Sequence, residues 1–202
     1  MHFSSNSIRE ITVNLKTFTI ETYEIAEWNV LKAIFRLSPK DFEKRITKNL
    51  NPIRWVLGHL TIHMDTIFNY LCLGERKLDQ DFREYFALGP DRANHKEFPL
   101  SYMELIEKFL EFSKISLVFL HNLPEEKFTQ VPEHNTGKNT ETIAELIQRI
   151  SLHFLGHTGQ IYHIKRELGK GGTFVMGVKK KNRYDSRSKW LNWWNENKYQ
   201  YS

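Results

Sequence analysis

The chain has 202 residues, 40% of them hydrophobic and 13% aromatic. That composition supports one domain with a sizeable core and excludes a disordered protein. The net charge of +5 is local: residues 179–202 hold Lys179, Lys180, Lys181, Arg183, Arg187, Lys189 and Lys198 against Asp185 and Glu196, while the other 178 residues balance 22 basic with 22 acidic side chains. A nucleic-acid reader carries its basic groups on a structured face, so no nucleic-acid partner is expected. Nothing approaches the roughly 18 consecutive apolar residues of a membrane span, so no membrane partner is expected either. The opening "MHFSSNSIRE" shows no charged start followed by an apolar block, hence no signal peptide. The single cysteine, Cys72, forms no internal disulfide and fits a cytoplasmic location. Its apolar setting, "NYLCLG", reads as a core thiol rather than a nucleophile.

The helical period dominates in chain order. A first helix is predicted over Ile8 to Phe35, with a seam of Ile11, Leu15, Phe18, Thr22, Ile25, Trp28 and Leu31. "LSPKDF" ends it, because Pro39 disfavours helix at Ser38. A second helix starts near Pro52 with Asn51 as its cap and runs to Gly74. A long connection, 74–100, follows; its acidic, basic and aromatic side chains suit either a lid over one end of the molecule or a plain crossover. The third helix starts at Ser101, where Glu104 completes a capping box, and ends before Pro124. The fourth starts at Thr140 or Thr142, with a second box through Glu145, and ends at Gly169.

Four such helices predict an all-α four-helix bundle, residues 1–178. Residues 179–202 form a basic, Trp-rich extension with a short helix over "DSRSKWLNWWNEN". Trp190 and Trp194 stand one turn apart, to pack on the bundle or on a partner chain, with lipid contact as the other reading.

The fourth helix places His153 and His157 in its seam, in series with Ile143, Leu146, Ile150, Ile161, Ile164 and Leu168. An imidazole is costly to bury without a partner. Two of them at i and i+4 can converge on one metal ion. The second helix offers His59, with His63 a turn later as a neighbour. Three histidines leave a position for water or substrate, as in catalytic zinc sites. The competing reading is that HxxxH is two core or partner-facing histidines with no metal. There is no HExxH and no carboxylate that the spacing names as a general base; Asp65 and Glu145 share no demonstrable face with the histidines. His163 falls off the seam, and His2, His95, His121 and His134 lie in tails, loops or a helix end. A fainter feature is the echo of "VLGH" (56–59) in "FLGH" (154–157), consistent with two related helical hairpins.

"WVLGHL" (55–60) together with "HFLGHTGQI" (153–161) resembles the DinB/YfiT-like superfamily, over about residues 8–170. The resemblance implies up-down-down-up connectivity, which accords with the long middle connection. It also implies a divalent metal, zinc or nickel, on His59, His153 and His157, with Gln160 orienting a ligand or water. The family includes thiol-dependent transferases and isomerases, so a small-molecule substrate, a low-molecular-weight thiol and a homodimer are expected. The DinB label refers to induction by DNA damage, not to DNA binding. A non-catalytic metal- or ligand-sensing bundle is the alternative to an enzyme.

Overall fold

The computed structural model describes residues 13–87, 100–134, 140–171 and 180–201. Every regular element among the described residues is helical. Helix α1 (Leu15–Ile34) is capped by Asn14, whose side chain accepts from Thr17 N. The predicted start at Ile8 and the seam residue Ile11 lie outside the described residues. The predicted seam is out of phase at its start, because Leu15 and Phe18 are exposed. The buried line instead runs through Ile20, Tyr23, Glu27, Val30, Leu31 and Ile34. That line takes in Glu27 because α1 packs on two elements, the long helix Ile143–Glu167 and the C-terminal helix, so a polar side of α1 is also enclosed.

Ser38 and Asp41 form a capping box for a short α2 (Pro39–Glu43), with Pro39 in its first turn. Helix α3 (Ile53–Met64) is capped by Pro52 itself, with no side-chain cap bond, rather than by Asn51. It continues as a π-helix, Asp65–Leu71, instead of the uninterrupted α-helix expected. The turn at Gly74 takes φ +81°, a conformation glycine adopts without a Cβ penalty. Asp65 is fully buried. Its carboxylate accepts from Asn69 Nδ2 (3.0 Å) and from the backbone N–H groups of Lys77 (2.9 Å) and Leu78 (3.4 Å). That pins the start of the middle connection to α3. The connection then forms α4 (Gln80–Tyr85), capped by Asp79. Residues 88–99 of the expected lid or crossover lie outside the described residues.

Both predicted capping boxes form. Ser101 and Glu104 open α5 (Tyr102–Asn122), and Thr142 and Glu145 open α6 (Ile143–Glu167). Helix α1 lies along α6, α3 lies along α5, and α3 also packs on α6. The buried line of α6 includes Ile147, Ser151, Phe154, Thr158 and Ile161. Ser151 and Thr158 can be buried because their hydroxyls donate to the carbonyls of Ile147 (2.7 Å) and Phe154 (2.8 Å). This line runs one position past His153 and His157, which are half-buried at its rim. The histidines do not replace core residues.

Helix α7 (Lys180–Asn197) packs on α1. Trp190 and Trp194 are buried, and Trp194 Nε1 donates to Glu107 Oε1 (2.6 Å). Arg187 pairs with Glu27 at 3.1 Å, and Ser113 Oγ donates to the same carboxylate at 2.7 Å. Arg183 pairs with Glu21 and Lys198 with Glu107. Three cations of the basic extension are therefore spent on acids of α1 and α5. Among the described residues, no helix is long and apolar enough to cross a membrane.

Candidate metal centre

Two i, i+4 histidine pairs meet where α3 crosses α6. Helix α3 stacks Trp55, His59 and His63 along one face, with the Trp55 and His59 rings 4.5 Å apart and nearly parallel. Helix α6 contributes His153 and His157, whose ring centroids are 4.5 Å apart. Across the gap, His59 lies 5.2 Å from His153 and 5.1 Å from His157, centroid to centroid. His63 lies 4.1 Å from His153 by the same measure. One ring nitrogen from each of His59, His153 and His157 falls within 4.8 Å of the others. This group could hold a metal ion.

The ring nitrogens are individually assigned by their partners. His59 Nδ1 lies 2.9 Å from the Phe86 carbonyl, an acceptor only, so Nδ1 carries the proton and Nε2 the lone pair. His157 Nδ1 donates to Gln160 Oε1 at 2.8 Å, which likewise puts the lone pair on its Nε2. His153 Nε2 is buried and makes no hydrogen bond. An unbonded buried nitrogen costs free energy unless something else satisfies it. Burial, reinforced by the neighbouring imidazoles and Arg149, pushes His63 down to about 3 and His153 down to about 4. Burial also lowers His59 and His157. All four rings are therefore neutral near pH 7, the form that binds metals. Three neutral imidazoles, two with the lone pair fixed on Nε2 and the third with an orphaned nitrogen, fit a borderline divalent ion.

A family model described as the DinB superfamily matches residues 23–161. The chain belongs to the DinB superfamily. The span shared with the DinB superfamily takes in His59, His153, His157 and Gln160 and stops before α7. Compared with curated proteins and with solved structures, the chain finds no match.

The other titratable candidates lie elsewhere or are already engaged. Asp65 holds the turn after α3 and Glu145 caps α6, so neither serves as a base at the histidines. His163 and His134 are exposed, and His121 is paired with Glu24. His2 and His95 lie outside the described residues. Cys72 is half-buried against the core rather than within it, and burial pushes its thiol up to about 12.

Sequence reasoning missed Phe86 and Gly58. A Cβ on Gly58 would stand 2.3 Å from Phe86 Cδ1, so only glycine lets the Phe86 ring settle there. A glycine inside a helix, next to a histidine, was the available signal. The carbonyl that Phe86 presents has no signal of its own, because every residue carries one.

Proposed function

We propose that this chain is a divalent-metal enzyme of the DinB superfamily, an S-transferase that joins a low-molecular-weight thiol to an electrophilic small molecule. His59, His153 and His157 hold the ion, zinc or nickel, through Nε2 of His59 and His157 and a ring nitrogen of His153. The observation that carries the metal site is the buried, unbonded Nε2 of His153 inside a ring of neutral imidazoles, and the thiol chemistry follows from membership of the DinB superfamily. When bound, such an ion supplies Lewis acidity that makes a thiol or water more acidic. The protein's part is preparation. Phe86 and Gln160 keep the protons of His59 and His157 on Nδ1, away from the site. Trp55 stacks on His59 and holds its ring plane. Three protein donors leave a coordination position for substrate.

We further take the helices of residues 1–178 to form an up-down-down-up four-helix bundle, with 179–202 as a separate extension and the protein a cytoplasmic homodimer. Elemental analysis of untagged protein tests the site. The wild type is expected to carry about one equivalent of metal, and a His59→Ala/His153→Ala variant none; equal metal in both sinks the three-histidine site. Holo-protein assayed with several biological thiols and an electrophilic reporter then tests the chemistry. Turnover with one thiol supports the transferase, and silence across the panel favours the sensing bundle.

A further inference from the structure

We infer that the two hydrogen-bond partners of His59 set its metal affinity in opposite directions: Phe86 prepares the ring for an ion, and His63 competes with the ion for the same lone pair. This rests on the metal-site reading above.

A neutral imidazole has one N–H and one lone pair. The Phe86 carbonyl fixes the N–H of His59 on Nδ1, so Nε2 can only accept. His63 Nε2 lies 3.2 Å from that atom and therefore donates to it. In the metal-free protein the lone pair of His59 is already in use. His63 stands outside the group of three whose donor atoms lie within 4.8 Å of one another. It touches that group through its hydrogen bond to His59 and through ring contact with His153, 4.1 Å between centroids. An ion reaching His59 Nε2 breaks the His63 bond, so His63 makes binding weaker than the three ligands alone would give.

Phe86 acts with the opposite sign. Its ring is fully buried against Gly58, the residue before His59. The segment leading to it is tied down by Asp65, which accepts from Lys77 N and Leu78 N, and by Asp79, which caps α4 at Phe82 N. A carbonyl held this firmly keeps His59 in the tautomer a metal needs. Phe86 and His63 are thus positioning residues of the site, placed there by the middle connection and by the i+4 spacing on α3.

The test is zinc titration calorimetry on the full chain, with nitrogen-15 NMR of the metal-free imidazoles. His63→Leu should bind zinc roughly three- to tenfold more tightly, the worth of one lost neutral hydrogen bond. His63→Gln, which keeps an amide donor, should stay near wild type. Phe86→Ala should bind about 10- to 100-fold more weakly, with Phe86→Leu in between. NMR should find the His59 proton on Nδ1 in the wild type and on both nitrogens in Phe86→Ala. Unchanged or weaker zinc binding by His63→Leu overturns the inference, the weaker outcome marking His63 as a ligand. A wild-type His59 protonated on Nε2 also overturns it. If Phe86→Ala does not fold, Phe86→Leu and the His63 pair still decide. A wild type that binds no zinc or nickel sinks the metal site itself; the NMR arm then decides the hydrogen-bond arrangement alone.

Discussion

The strings "VLGH" on α3 and "FLGH" on α6 are near copies, yet the two helices treat them differently. On α3 the glycine is covered: Phe86 packs where a Cβ would be, and the adjacent His59 is only 2% exposed. On α6 nothing lies within 4 Å of a Cβ on Gly156, and His157 is half-buried with an exposed Gln160 as its partner. One half of the site is set by a backbone carbonyl from a distant connection, the other by a side chain one turn along its own helix. The comparison shows that similar local sequence fixes where the imidazoles start, while tertiary partners decide how rigidly each is held.

The glycines offer the sharpest way to break this contrast. Gly58→Ala should destabilise the protein by about 1–3 kcal/mol, because the added methyl group must displace a buried ring. Gly156→Ala should instead stabilise it by up to about 1 kcal/mol, the helix-propensity gain at an open position. Urea midpoints of the two variants should move in opposite directions; a shift of the same sign in both would erase the distinction.

Acid provides the next test. His63 and His153 charge near 6.5 when unfolded but only at about 3 and about 4 when folded. The unfolded state therefore binds more protons between those limits. The metal-free protein should lose melting temperature as pH falls from about 6.5 towards 4. His63→Leu should flatten that loss over the same window, and an unchanged slope would mean that His63 is not held neutral.

The smallest effect belongs to Gln160. Since its side chain is exposed, Gln160→Ala should weaken zinc binding by about tenfold or less, below the loss for Phe86→Ala. Calorimetry giving the reverse order would show α6 to be the more tightly organised half.

Much of this architecture is legible in local sequence. Ser101 with Glu104 and Thr142 with Glu145 mark helix starts because capping is a contact between near neighbours. The histidine pairs are also readable, since i, i+4 spacing puts each on one face of its own helix, while the meeting of His59 with His153 and His157 follows from the likeness of the two strings to the DinB superfamily. The phase of the α1 seam is not. Glu27 is buried because α7 supplies Arg187 from 160 residues away, a contact no window of sequence contains. The π-helical turn at Asp65–Leu71 escapes for a similar reason: its Asp65 accepts from the backbone of the chain that follows it. Placing the histidines in the core seam is off by one position, because Ser151 and Thr158 satisfy their own hydroxyls and can take the buried line.

The ion pair of Glu27 with Arg187 also bears on how the molecule is made. Glu27 belongs to the first described helix and is 1% exposed, and its cation arrives with the last. During synthesis α1 emerges long before α7, and because α7 brings both the cover and the cation, Glu27 stays open to water until α7 arrives. Cover and counter-charge thus come on one helix, so the carboxylate need never be buried alone. Removing α7 would therefore expose this face of α1 rather than strand a buried charge in it.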